Sequence, residues 1–397
     1  MAERLHLPFS LPPPAGGGVD LLVIAGEHSG DEHAARMVRE LRACDPGVRV
    51  CALGGAKLGG AGAQLLHDLT GSSVVGIVEV LKNLRFFRAL YNATLAWIGK
   101  YRPRAVCFVD YPGLNLRLAR ELHSRGLSVK GGGGIQALYY ISPQIWAWKA
   151  GRRFEMARHL DAMAVIFPFE VRSYADTDLA VEFVGHPFVA ADYEAPVRYD
   201  AAGPVLLLPG SRRQAVGRIF PALLAGYAAF CRTHPGRGAV VLHPGKGLED
   251  QIGAMVRESP REVRSRVALL PSGSSPVAAS AVLTSSGTMS MHCALAGIPG
   301  AIAYRANPLT FIVGRWLVRV PYLGIANLLL EEPMYPEFIQ GAATPAALAR
   351  ELASCVDDPA RRKDTAGKAE RLHAILRQPA TGTAGAWLAR RLSGGAA

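Results

Sequence analysis

Four short strings in the chain join small residues to polar or charged ones at points where an apolar run gives way to a helical pattern. The first is Gly26-Glu27-His28-Ser29-Gly30-Asp31. Its two glycines allow a backbone to approach a ligand closely, and Ser29 or Asp31 can instead cap the helix that follows. The second centres on Asp110, with Pro112 and Asn115 just behind it. A carboxylate at the end of an apolar strand stands where a general base would stand, and it also reads as a plain N-cap. The third is Pro209-Gly210-Ser211-Arg212-Arg213. Backbone N–H groups in a small-residue turn, with an Arg fork beside them, suit a diphosphate, the alternative being a solvated Arg pair. The fourth is Ser285-Ser286-Gly287-Thr288, ahead of the helical run Met289–Ala296. Free N–H groups at a helix start, assisted by hydroxyls, form an anion site or an ordinary cap.

Other residues say less. Asp176-Thr177-Asp178 spells a DxD, but it lies in a turn before the strand-like Val181–Val184 rather than after a strand, so no metal is expected. His186, in Gly185-His186-Pro187, either touches substrate or braces a hinge. The first loop is not GxGxxG and no acidic residue clearly ends the second strand, which argues against a dinucleotide cofactor.

These loops need strands and helices to hold them. Val19–Ala25, Val48–Leu53, Ala105–Val109, Leu138–Ile141 and Ala162–Phe167 are short apolar runs of the kind buried on both faces of a parallel sheet. Helical patterns fall between them at Asp31–Ala43, Val78–Lys100 and Arg117–Arg125. A weakly patterned Pro/Asp-rich stretch from Gly185 to Gly203 marks a junction. A second alternation follows, with strands expected at Val205–Leu208, Ala239–Leu242, Val267–Leu270, Ala281–Thr284 and Ala301–Tyr304. The expected fold is α/β, with two Rossmann-like domains of parallel sheet facing an inter-domain cleft. A flexible leader is expected over residues 1–18, domains over 19–188 and 189–375, and a C-terminal helical segment over 376–397. The Gly131–Gly134 run reads as a loop with no assigned role.

Composition bounds the function. With 397 residues, 50% of them hydrophobic and 19% charged, the chain has material for two cores and is neither disordered nor fibrous. A formal charge of +12 suggests an anionic partner. The Arg residues are scattered, which argues against nucleic acid. Six cysteines without a CxxC read as buried free thiols in a reducing compartment. The leader lacks a signal-peptide core and no run of 18 apolar residues occurs, so the expected location is cytoplasmic. On Val78–Lys100, Val80, Leu84, Phe87 and Tyr91 share a face. The pattern fits a helix packed on a sheet, or a basic helix resting Phe86, Phe87 and Trp97 on anionic lipid, and Phe311–Val320 reads the same way.

The chain as a whole resembles the lipid-A-disaccharide synthase family of GT-B glycosyltransferases, from Leu22 to about Gln340. The first loop is similar to that family's GEASGD, and Val75-Gly76-Ile77-Val78-Glu79-Val80-Leu81 to its helix-entry motif. Tyr140-Ile141-Ser142-Pro143-Gln144-Ile145-Trp146-Ala147-Trp148 is similar to its most distinctive string. Phe167-Pro168-Phe169-Glu170, Val184-Gly185-His186-Pro187, Leu208-Pro209-Gly210-Ser211-Arg212, Ser286-Gly287-Thr288, Asn327-Leu328-Leu329 and Pro336-Glu337 with Gln340 follow in the family's order.

The resemblance implies an inverting transfer from UDP-2,3-diacylglucosamine to 2,3-diacylglucosamine 1-phosphate, giving a β-1,6-linked disaccharide 1-phosphate and UDP, with no metal or other cofactor. Asp110 is then the base. Gly26, Ser29, Gly30, Asp31, Glu79, Ser142, Gln144, Trp146 and His186 fall on the acceptor side. Gly210, Ser211, Arg212, Ser286, Gly287, Thr288, His292, Asn327, Glu337 and Gln340 fall on the UDP side. The implied setting is the cytoplasmic face of the inner membrane, with peripheral attachment, no nucleic-acid partner, and a homodimer left open. The last helix, around Trp387–Leu392, is expected to return to the first domain.

Some positions depart from the family pattern. Ala215 and His292 stand where the family has Glu, Gly113 where it has Asp, His28 where it has Ala or Thr, and Ile325-Ala326 where it has Leu-Pro. These departures leave two alternatives: a non-catalytic nucleotide-sugar or lipid binder, or a GT-B enzyme acting on another UDP-sugar, such as a UDP-GlcNAc epimerase.

Overall fold

The computed structural model describes residues 9–70, 84–273, 275–307, 311 and 320–394. The chain divides into two compact units, Met1–Pro187 with Gln378–Ala397, and Phe188–Arg377.

The first unit is built on seven parallel strands: β1 (Leu21–Ala25), β2 (Val50–Gly54), β3 (Gln64–Asp68), β4 (Ala105–Val109), β5 (Gln136–Tyr140), β6 (Ala162–Val165) and β7 (Ala180–Phe183). Their spatial order is β3-β2-β1-β4-β5-β6-β7. The chain winds one way from β1 and then resumes on its other side with β4. That reversal places a crevice beyond the carboxyl ends of β1 and β4, the usual ligand position in such sheets. Every residue of β1, β2 and β4 is buried, because helices cover both faces. These helices are α1 (His28–Cys44), α2 (Ala56–Gly60), α3 (Leu84–Tyr101), α4 (Pro112–Ser124) and α5 (Arg152–His159).

The second unit repeats the plan. After the short β8 (Val197–Tyr199) come β9 (Val205–Leu208), β10 (Ala239–His243), β11 (Val267–Pro271), β12 (Val277–Ala279), β13 (Ala281–Thr284), β14 (Gly300–Tyr304) and β15 (Glu337–Ile339). The main sheet runs β11-β10-β9-β13-β14-β15, while β8 and β12 pair separately. Here the reversal falls between β9 and β13. The helices are α6 (Arg213–Cys231), α7 (Lys246–Arg257), α8 (Arg261–Arg264), α9 (Thr288–Leu295), α10 (Ile325–Leu330), α11 (Pro345–Asp357) and α12 (Pro359–Leu376). Among the described residues α6 alone is long and apolar enough to cross a membrane, yet it is mostly buried and its Val216, Ile219, Phe220, Leu223, Tyr227 and Phe230 belong to the core.

The last helix, α13 (Ala384–Ser393), lies on α1 of the first unit. Gly385 donates its N–H to Glu40 at 3.0 Å, and a side chain at position 385 would overlap the α1 backbone. Arg390 and Arg391 each reach a different oxygen of Glu182 at 2.8 Å. Trp387 is fully buried beneath this helix.

Several features differ from the sequence reading. From Phe9 onward the leader is packed rather than trailing. The Phe9 ring meets His67 and Phe86 edge-on, and the Trp97 indole donates to Pro12 O at 2.8 Å. Trp97 and Phe86 are thereby occupied by the protein itself and not by a lipid surface. Cys44, at the end of α1, is exposed, whereas the other five thiols are buried. The mixed-polarity edge strand β3 and the three-residue β15 escape an apolar-run criterion, although each extends its sheet. The helix-entry motif with Glu79, and most of Phe311–Val320, lie outside the described residues.

Candidate functional site

All four loops singled out by composition lie at the two reversals, one pair in each unit. In the first unit, Gly26–Asp31 follows β1 and Asp110 follows β4. A side chain at Gly26 would overlap the Tyr111 ring, so glycine lets the two loops close on each other. Asp110 and Tyr111 both adopt left-handed backbone conformations, with φ of 46° and 47°. Such torsions cost free energy in a non-glycine residue and persist only where neighbours enforce them. The neighbours are clear. Asp110 N–H donates to Tyr140 O at 3.0 Å, and Asp110 O accepts from the Tyr139 hydroxyl at 2.6 Å and Asn115 Nδ2 at 2.7 Å. Buried Asn115 also lies 3.3 Å from Ile24 O and Val109 O, which ties the ends of β1 and β4 together. The backbone is thus clamped independently of the Asp110 carboxylate.

Asp31 has a task different from the cap on α1 that its position suggests. Its buried carboxylate accepts Gly55 N–H at 2.7 Å, Lys57 N–H at 3.1 Å and Leu58 N–H at 3.3 Å, closing the start of α2. Gly26 and Gly30 are buried and Ser29 half-buried in the loop itself.

The loop after β5 carries the distinctive aromatic string. Ile141 at its head is also left-handed, at φ 68°. Ser142 is buried, with its hydroxyl 2.7 Å from the Tyr174 hydroxyl, while Gln144 is exposed. The half-buried Trp146 meets Phe169 edge-on at 5.4 Å; Phe169 stacks on Phe167, and Phe167 lies 5.1 Å from buried His186. Beneath this row of rings is Glu170, 2% exposed, which the residue-by-residue reading did not single out. Its oxygens accept Trp146 Nε1–H at 3.4 Å and Phe167 N–H at 3.2 Å. Burial pushes the carboxyl pKa up to about 8 against these donors, and the charge of Asp110 adds to the rise.

The second unit offers nitrogen donors. Gly210 adopts φ 106° with its Cα side toward Ser285, where a Cβ would stand 3.3 Å from the Ser285 hydroxyl. Ser211 and Arg212 are exposed, and Arg212 is the N-cap residue of α6. Gly287 is the N-cap of α9, with Ser286 just before it and Thr288 as the first helical residue. Neither helix start has a side-chain cap or an acidic residue in its first turn. The starts of α2, α4 and α10 likewise lack a side-chain cap from the N-cap residue and a first-turn acid, while α11, α12 and α13 are capped by Thr344, Asp358 and Thr383. Two uncapped, acid-free helix starts after adjacent strands, one of them headed by Arg212, make a place for an anion.

The remaining residues on this side are engaged by the protein. Asn327 is fully buried; its amide donates to Tyr335 O and Glu337 Oε1, and its oxygen accepts Met334 and Tyr335 N–H. Glu337 also accepts Leu323 N–H at 2.9 Å and Gly324 N–H at 2.9 Å, closing the start of α10. Gln340 bonds both backbone groups of Ala306. His292 is buried, 3.9 Å from the Phe188 ring centroid and stacked on Tyr193 at 5.8 Å. These four side chains therefore shape loops, and sequence spacing could not reveal their partners. Asp176 and Asp178 of the DxD are held by Arg153 and Lys130.

A model of the family described as lipid-A-disaccharide synthetase matches residues 21–386. The chain belongs to that family. It is 34% identical over 359 residues to the lipid-A-disaccharide synthase of Geobacter sulfurreducens, covering 87% of this chain and 90% of that one. It is 34% identical to lipid-A-disaccharide synthase 1 of Legionella pneumophila, covering 90% and 93%. Among solved structures, UDP-GlcNAc 2-epimerase from Neisseria meningitidis superposes with a TM-score of 0.56 at 10% identity, covering 90% of this chain and 99% of that one. A spinosyn rhamnosyltransferase complexed with thymidine diphosphate does so at 0.55 and 14%, covering 94% and 100%. At those identities the structures speak for the fold alone, which is GT-B. Membership of the family makes this chain a glycosyltransferase.

Proposed function

We propose that this chain transfers the sugar of UDP-2,3-diacylglucosamine, with inversion and without a metal, to 2,3-diacylglucosamine 1-phosphate. The observation that carries the reading is the division of chemistry between the sheets. A clamped, strained loop presents one carboxylate at the reversal of the first, and two uncapped helix starts with Arg212 lie at the reversal of the second. In the reaction the acceptor's 6-hydroxyl oxygen attacks C1 of the donor and its proton passes to the Asp110 carboxylate. The C1–O bond to the diphosphate breaks with its electron pair, and the N–H groups at α6 and α9 with Arg212 take up the charge on UDP. Preorganised donors of this kind need no metal ion.

The test is turnover of the two purified acyl-sugar substrates in detergent, following disaccharide and UDP together. Both should appear in equal amounts, at a rate proportional to enzyme. UDP without disaccharide, or no reaction at all, would overturn the reading. Arg212→Ala should weaken UDP binding about 10- to 100-fold by calorimetry, the scale of one charge-assisted hydrogen bond. Unchanged affinity would remove Arg212 from the diphosphate site.

The same reading places the protein on the cytoplasmic face of the inner membrane. Trp148 and Phe154 are 38% and 51% exposed, with Lys149 and Arg152 over the Trp148 ring and Arg153 over that of Phe154. Exposed aromatic rings flanked by cations suit an anionic lipid interface. The double variant Trp148→Ala/Phe154→Ala should lose co-sedimentation with anionic vesicles, and retention of full binding would exclude this patch.

A further inference from the structure

Glu170 is a buried carboxyl group held by the Trp146 indole and the Phe167 backbone, and family membership gives it no task. It sits in a short 3-10 helix after β6, Pro168–Tyr174, where Phe167 N–H and the Trp146 indole converge on its two oxygens. Trp146 belongs to the loop after β5, the strand that pairs with β4. Glu170 is thus tied directly to one site loop and acts across space on Asp110, the residue at the end of β4. The groups around it can be named. Asp110 faces it from the loop after β4, Tyr174 from its own short helix, and the Ile166 and Phe167 N–H groups from the end of β6. His186 reaches the cluster through its ring contact with Phe167, and the Arg152 cation, at the start of α5, acts on Tyr174 and Tyr139.

We propose that Glu170 is a positioning residue: its buried carboxyl, held by Phe167 N–H, fixes the Trp146 indole and leaves the role of base to Asp110. Two carboxyl groups with one proton between them divide the labour: one stays neutral in its apolar setting and the other stays ionised as a base. Ionisation of Glu170 in alkaline solution puts a second negative charge beside the first, which disfavours a phosphorylated acceptor. This deepens the reading proposed above and, for its kinetic consequence, rests on it.

The experiment has an arm that needs no substrate. Tryptophan fluorescence of the full chain is titrated from pH 6 to 10 in wild type, Glu170→Gln, Trp146→Phe and Asp110→Asn. The expected result is a transition centred near pH 8 in wild type that vanishes in Glu170→Gln and in Trp146→Phe. In Asp110→Asn the midpoint should move down, because coupling between two charges is reciprocal. Absence of the transition in wild type, its persistence in Glu170→Gln, or an unmoved midpoint in Asp110→Asn would each overturn the proposal. The second arm follows kcat/KM with the two acyl sugars. Wild type at pH 9 should retain about one-tenth of its pH 7 value, the protonated fraction of a group titrating near 8, while folded Glu170→Gln should stay flat. Identical profiles would overturn the kinetic consequence. If neither protein turns over, the transferase reading fails while fluorescence still decides on Glu170.

Discussion

Asp110→Asn should transfer sugar about 10²–10⁴-fold more slowly than wild type, the scale expected when a general base is removed. Asparagine is the informative replacement because the backbone at position 110 is left-handed, at φ 46°. Asn tolerates that region at least as well as Asp, whereas Ala adds strain on the order of 1 kcal/mol. The loop should survive the change, since Tyr139, Asn115 and Tyr140 hold the main chain of residue 110 and none of these bonds involves its carboxylate. The variant should therefore unfold at the wild-type temperature and bind UDP with wild-type affinity, because the nitrogen donors proposed for UDP lie in the other unit. A base acts only as the proton moves, so kcat should fall while KM changes little. A rate within a few-fold of wild type would exclude Asp110 as the base.

The scaffold of this arrangement was legible in the sequence because buried parallel strands leave continuous apolar runs. Ala105–Val109, Val205–Leu208 and Ala281–Thr284 stand where those runs begin and end. The four loops were legible for the same reason: each is the polar string that interrupts such a run. What spacing could not convey is how polar side chains find partners far along the chain. Asp31 closes a helix that starts 25 residues later, and Glu337 closes one that starts 12 residues earlier. In both, a carboxylate that reads as a ligand group is consumed by backbone N–H groups. The strain at Asp110, Tyr111 and Ile141 was equally invisible, because no glycine announces it. Glu170 was hidden by its company. The sequence offers it only as the last residue of the Phe167-Pro168-Phe169-Glu170 string, and the fold alone shows that it is buried.

Asp31→Ala should lower stability far more than its place in a loop would suggest. The carboxylate is 3% exposed and satisfies three backbone N–H groups, those of Gly55, Lys57 and Leu58. Removing it strands the Gly55 and Leu58 donors in buried surroundings and leaves that of Lys57 at a partly exposed position. Each stranded donor costs roughly 1–3 kcal/mol, offset in part by relaxation of the short helix α2, so a loss of about 3 kcal/mol is expected. For a unit of this size that corresponds to a fall of about 6–12 °C in the melting temperature of the first unit, read by calorimetry. Asp31→Asn should fall between, since the amide keeps one acceptor but turns N–H groups toward at least one backbone donor. The neighbouring glycines strengthen the case. A side chain at Gly55 would come within 2.6 Å of Asp31 Oδ2, so the backbone has been brought as close to this carboxylate as it can be. If Asp31 instead served mainly to hold the acceptor sugar, Asp31→Ala would melt like wild type and show its defect in KM alone. That pair of results would refute the structural role.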